Sequence, residues 1–239
     1  MEILTPMFVI GLGLLVGIQH AFEVDHITAM STQMLKSKQS KKQFRQVIFN
    51  SITKSSILGT IWGAGHTTAL VLMGFLIYVL SITIEKQIFS GLEIIVGIML
   101  VYLGITTVTN KKIRFKHKHP HKHTDGSIHF EEHNHDSKHV HTHKPYLIGL
   151  VHGLAGSGSL VVLTAFSMYD GIDVLGFIVI FGIGSIIGMS LIGGIIGIPF
   201  ALGAKFSKLQ KIFRLSIGVF SILIGINVIY QTNIFTTYF

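Results

Sequence analysis

The chain has 239 residues, 49% of them hydrophobic and only 13% charged, with a net charge of +8 and a mean hydropathy of +0.61. A soluble domain carries about 25% charged residues, so this balance excludes a disordered chain, a coiled coil and an ordinary cytosolic enzyme, and it points to a polytopic membrane protein. Cysteine is absent, which excludes disulfides, thiolate zinc sites and cysteine nucleophiles.

The first apolar segment, Pro6–Leu35, lacks the basic start and small-residue cleavage site of a removable leader and reads as a span. It is longer than the ~20 residues that cross a bilayer, so it tilts, breaks or runs into the interface. Within it lies His20-Ala-Phe-Glu23-Val-Asp25-His26, four ionisable groups in seven residues. Asp, Lys or Arg at mid-membrane each cost roughly 2.5 to 3.5 kcal/mol on translocon scales, and such groups usually face a cavity and carry function. On a regular helix Glu23 lies about 60° from His20, and His26 about 60° further on, while Asp25 falls roughly opposite His20. Either the helix unwinds here or Asp25 has a role separate from that stripe.

The second segment, Val47–Ile82, adds Gly63-Ala-Gly65-His66-Thr67-Thr68, and the third, Ile88–Thr109, carries Gly97 and Gly104. A polar stretch follows, residues 110–145, with ten histidines: His117, His119, His121, His123, His129, His133, His135, His139, His141 and His143. Asp125, Glu131, Glu132 and Asp136 are interleaved. This is a metal-binding composition, too polar to bury a core and therefore expected to be mobile. Its imidazoles are mostly neutral, and so available as ligands, at cytoplasmic pH; the competing reading is a hydrophilic linker. The fourth segment, Tyr146–Tyr169, carries His152, with Ser157 and Ser159 in a Gly-rich run. Val174–Leu202 and Lys211–Gln231 complete a count of six.

Charge placement orients the spans. Eighteen of the nineteen Lys and Arg fall after the first, third and fifth spans or at their flanks, and only Lys86 lies on the other side. By the positive-inside rule those loops are cytoplasmic and both termini lie outside, in a cytoplasmic (plasma) membrane. The basic residues therefore belong to loops, and no nucleic-acid partner is implied. The halves also resemble each other. Gly17-Ile-Gln-His20 matches Gly149-Leu-Val-His152, Gly63-Ala-Gly-His66 matches Gly182-Ile-Gly-Ser185, and Gly97 and Gly104 match Gly218 and Gly225. Three spans per repeat make the second repeat inverted, as in many secondary transporters. The expected architecture is an all-α polytopic membrane protein of six transmembrane helices in two inverted three-helix repeats, residues 1–109 and 146–239, joined by the loop at 110–145.

Imidazole with carboxylate suits nickel, cobalt, zinc, copper or iron, and suits magnesium and calcium poorly. His20, Glu23, Asp25, His26 and His66 form the candidate set, with His152, Thr67 and Ser157 as further candidates. Rival roles are a helix-to-helix hydrogen bond for His152, a proton relay through Asp25 and His26, and haem ligation, which leaves Glu23 and Asp25 unused. A zinc protease needs His-Glu-x-x-His, which this spacing does not supply. A nucleotide-binding Gly-x-x-x-x-Gly-Lys-Ser/Thr loop is also absent.

The run from His20 through Asp25-His26 closely resembles the first motif of the nickel/cobalt transporter family, His, four residues, then Asp-His. Gly65-His66-Thr67-Thr68 resembles that family's second motif. Classical members have eight spans and further acidic motifs in the later half, where this chain has His152-Gly-Leu-Ala-Gly-Ser-Gly-Ser159. The six-span chain is therefore similar to the shorter, urease-accessory branch. The resemblance implies metal-transport roles for His20, Asp25, His26 and His66. The function expected is uptake of nickel or cobalt as substrate, with no permanent cofactor and no enzymatic activity, and a cytoplasmic metal chaperone is a candidate partner. Export of the same ions and a membrane metalloenzyme or haem protein are the alternatives. Oligomeric state is left open.

Overall fold

The computed structural model describes residues 6–35, 44–80, 86–110, 119–122, 128–131, 143–155, 171–203 and 206–232. Their apolar runs form helices: α1 (Pro6–His20), α2 (Val24–Met34), α3 (Phe44–Leu80), α4 (Lys86–Val108), α5 (His143–Ala155), α6 (Gly171–Gly203) and α7 (Ser207–Gln231). A two-stranded antiparallel hairpin, β1 (His119–Lys122) with β2 (Ile128–Glu131), lies between α4 and α5. The protein is a helical, polytopic membrane protein. Among the described residues four helices are long and apolar enough to cross a bilayer, over Gln46–Val79, Ser90–Val108, Val174–Gly203 and Lys208–Gln231.

The first expected span is not one helix. It breaks after His20, and a turn at residues 21–23 separates α1 from the 11-residue α2. The backbone N–H of Glu23 donates to the His20 carbonyl at 3.1 Å, Glu23 itself is extended, and the Ile27 N–H donating to the Glu23 carbonyl starts the next helix. The expected fourth span, Tyr146–Tyr169, is helical only as far as Ala155 among the described residues, and the rest of it lies outside them. The polar stretch expected to be mobile contains the hairpin, because His-Pro-His-Lys and Ile-His-Phe-Glu each alternate in character with the two-residue period of a strand.

Helix α3 packs along α6 and α5, α1 along α6, and α4 along α7, while α2 lies against α7 and α4. Glycine permits the closest approaches. A Cβ on Gly17 would strike the Phe181 carbonyl, and one on Gly149 would strike the Trp62 carbonyl. Likewise Gly184 faces the Leu14 carbonyl and Gly65 that of Tyr146, while Gly97 meets Gly225 and Gly104 meets Gly218. These contacts come in matched pairs. Leu14 and Gly17 shifted by 132 residues give Tyr146 and Gly149, and Trp62 and Gly65 shifted by 119 give Phe181 and Gly184. The largest apolar cluster joins Met30 of α2, Trp62 of α3, Leu100 of α4 and Met189 of α6. A second joins Leu70 to Val174, Phe177, Ile178 and Phe181.

Candidate metal centre

The helix break between α1 and α2 builds the site. Four histidines from four separate helical segments converge on it: His20 at the end of α1, His26 in the first turn of α2, His66 on α3 and His152 on α5. Each is at most 3% exposed. The ring centroids of His26 lie 4.4 Å from His20, 5.1 Å from His66 and 4.3 Å from His152. Trp62 and Phe181 close the shell, Trp62 at 5.3 Å from both His26 and His152 and Phe181 at 5.2 Å from His20.

The carboxylates sit behind the imidazoles. Glu23 Oε1 is 3.0 Å from His20 Nδ1, and Asp25 Oδ1 is 2.8 Å from His26 Nδ1. A carboxylate accepts only, so each Nδ1 carries the proton and each Nε2 presents a lone pair inward. Carboxylates commonly orient metal-ligating histidines in this way. Asp25 is shared more widely. Its Oδ1 also accepts the backbone N–H of His26, an otherwise unpaired donor in the first turn of α2, and its Oδ2 accepts His152 Nε2–H at 3.0 Å. Of the two sequence-based options the helix break is the one observed, and the Asp25 carboxylate beyond it contacts two imidazoles.

His20 Nε2 and His66 Nε2 approach to 3.1 Å, and His20, His26 and His66 each offer a nitrogen within 4.8 Å of the others. At metal–nitrogen distances of about 2.0–2.1 Å, a 3.1 Å separation corresponds to an angle of roughly 95–102° at one ion, between octahedral and tetrahedral values. His26 Nε2, His66 Nδ1 and His152 Nδ1 are buried with no hydrogen-bond partner among the described residues. Unpaired polar atoms at this depth are costly, and a cation at the centre would engage the first of them. Asp25, His26 and His152 form a second group of potential ligands that shares His26 with the first. Glu23 is 40% exposed at its side chain and Asp25 19%, so solvent or a cavity reaches the carboxylates while the imidazoles are sealed.

Other sequence-based candidates fall elsewhere. The Thr67 hydroxyl donates to the Gly182 carbonyl at 3.0 Å and ties α3 to α6 instead of entering the cluster. Thr68 accepts from the Tyr146 hydroxyl. Ser157, and with it Ser159, lies outside the described residues, as do His117, His123, His133, His135, His139 and His141. His119, His121 and His129 belong to the hairpin, and His143 opens α5 in an exposed position. Trp62 and Phe181 were not singled out by sequence, although Trp62 lies one turn before His66 on the same helix face.

Two comparisons with known proteins bear on this centre. Residues 64–227 match the family described as the cytochrome C biogenesis protein transmembrane region. Over 98% of this chain and 96% of the relative, the sequence is 32% identical to the urease accessory protein UreH of Bacillus sp. (strain TB-90). No solved structure matches.

Proposed function

The chain belongs to the family of the urease accessory protein UreH, and from that premise we propose that it carries divalent transition-metal ions, nickel first and cobalt next, into the cell across the cytoplasmic membrane. It is a membrane accessory protein and not an enzyme. The observation that carries the proposal is the buried group of His20, His26 and His66, in which Glu23 and Asp25 hold the His20 and His26 imidazoles with their Nε2 lone pairs free for a ligand role and the His66 Nε2–H donates to His20 Nε2 at 3.1 Å. Three neutral imidazoles backed by two carboxylates balance a divalent charge. Nickel or cobalt is substrate here. His20, His26 and His66 strip its water and bind it, Asp25 orients His26 and His152, and Glu23 orients His20.

The likeness to a cytochrome C biogenesis region is read as shared membrane architecture. With no cysteine in the chain, thiol–disulfide chemistry is excluded. Residues 1–109 and 146–239 act as two inverted repeats of three spans each, a reading supported by the matched glycine approaches of α1 with α6 and α5 with α3. With the imidazoles sealed, ion entry and exit require one repeat to move against the other. Charge placement supports both termini outside and the histidine-rich loop in the cytoplasm. There the loop can hand ions to a cytoplasmic metal chaperone.

The test is flux into proteoliposomes, with cobalt, zinc and manganese competing against nickel. Saturable nickel entry that cobalt inhibits and manganese does not is expected. Absence of nickel flux in protein that has inserted and folded would refute the proposal.

A further inference from the structure

The shifts that pair the close-packed glycines also pair the histidines. Adding 132 carries Gly17 to Gly149 and His20 to His152, and adding 119 carries Gly65 to Gly184, Trp62 to Phe181 and His66 to Ser185. The cluster obeys the same exchange. His20 stands 5.2 Å from Phe181, and its counterpart His152 stands 5.3 Å from Trp62, the counterpart of Phe181. His26 lies midway: its ring is 4.4 Å from His20 at 72° and 4.3 Å from His152 at 70°. One imidazole thus faces two matched half-sites in the same way. The halves are not chemically equal, because Ser185 stands where a second His66 would be and its hydroxyl donates to the Phe181 carbonyl at 3.0 Å. Asp25 supplies the missing donor, with Oδ1 2.8 Å from His26 Nδ1 and Oδ2 3.0 Å from His152 Nε2.

Resting on the transport reading above, we propose that Asp25, His26 and His152 form a second ion station, to which the ion passes from His20, His26 and His66. The ligand atoms of each trio lie within 4.8 Å of one another, and imidazole with carboxylate suits the same borderline ions. A neutral imidazole has one lone pair, so His26 serves one station at a time and the two are never filled together. In the first station His26 binds through Nε2 while its Nδ1–H rests on Asp25. In the second the ion replaces the protons on His26 Nδ1 and His152 Nε2. Each ring gives that proton to water as the repeats move and takes one from water on its other nitrogen, so both stay neutral and no proton is gained or lost overall. The receiving atoms, His26 Nε2 and His152 Nδ1, have no other partner among the described residues. The stations also differ in depth. The Thr67 hydroxyl on the Gly182 carbonyl sets Phe181 level with His66 and Thr67, whereas Trp62 lies five residues before Thr67 on α3. That is about 7.5 Å along the helix, toward the end that charge placement assigns to the cytoplasm. The station beside Trp62 is therefore the inner one, the order that uptake needs.

Binding and flux are read on the full chain stripped of metal, with Trp62, its single tryptophan, reporting nickel by quenching. His152→Gln keeps a side-chain N–H for Asp25 and removes the imidazole, while His152→Ala removes both. In each, nickel flux into proteoliposomes falls about tenfold or more, and the quenching midpoint stays at the parent value. His20→Ala/His66→Ala, which lacks the first station, still shows single-site quenching at higher nickel, and adding His152→Gln abolishes it. That arm needs no transport, so loss of the second station is told apart from failure of the transport reading, which shows as absent flux in the parent. Flux retained in His152→Gln would overturn the second station and leave His152 a hydrogen-bond partner. A midpoint raised as far in His152→Gln as in His66→Ala would overturn it in favour of one four-histidine site. Quenching absent from His20→Ala/His66→Ala, or unchanged there by His152→Gln, would overturn it as well.

Discussion

At the residue scale the proposed ion site rests on His20, His26 and Asp25. Replacing any of the three by Ala is expected to abolish nickel flux while the protein still inserts, as measured by membrane fractionation beside uptake; flux retained in all three would remove the site. Asp25→Asn is a finer probe. The carboxylate accepts from His26 through Oδ1 and from His152 through Oδ2, and an amide can accept from only one of them. Nickel affinity should fall about 10–100-fold in a binding isotherm. Glu23→Gln should cost less, since the Glu23 side chain is 40% exposed and water can replace part of its hydrogen bond. The clustered histidines and carboxylates stood out in sequence because ionisable groups in an apolar span are conspicuous. Trp62 and Phe181 were not, because an aromatic residue that walls a site looks the same in sequence as one that meets lipid. The Asp25–His152 link joins residues 127 positions apart, a distance that spacing arguments cannot bridge.

At the scale of elements, the break at residues 21–23 places His20 and His26 on two helix ends facing a common centre. Sequence posed that break as one of two options, and the hydrogen-bonded turn from His20 to Glu23 decides it. Helix packing makes its own prediction. At Gly17 and Gly149 a Cβ would run into the backbone carbonyls of Phe181 and Trp62, whereas at Gly11 it would meet nothing within 4 Å. Gly17→Ala and Gly149→Ala should each cost about 1–3 kcal/mol, seen as a lower thermal midpoint in detergent, and Gly11→Ala should leave the midpoint unchanged. Removing residues 117–142 should alter uptake capacity modestly; complete loss of transport would place that segment in the ion path. The hairpin within it escaped the sequence because composition drew attention to the number of histidines and away from their alternation.

At the scale of the whole molecule, the bilayer class, the apolar helices and the weak likeness of the halves could all be read from composition and pattern. The packing partners could not: α3 lies along both α5 and α6, and α2 turns to meet α7, because Gly-rich apolar helices offer similar faces in every direction. Direction of transport belongs to this scale too. Cells expressing the protein should accumulate nickel, and depletion would assign it to export.

The central claim is that the imidazole ring inside the membrane holds the ion. Trp62 is the single tryptophan of the chain and stands 5.3 Å from His26 and from His152, so its fluorescence reports directly on that ring. Nickel added to the metal-stripped, full-length protein should quench it saturably, and zinc, a closed-shell d¹⁰ ion, should compete without quenching. The quenching midpoint should move to at least tenfold higher nickel in His26→Ala and His66→Ala. Quenching that survives unchanged in both variants, or none at nickel concentrations that saturate flux, would contradict the claim.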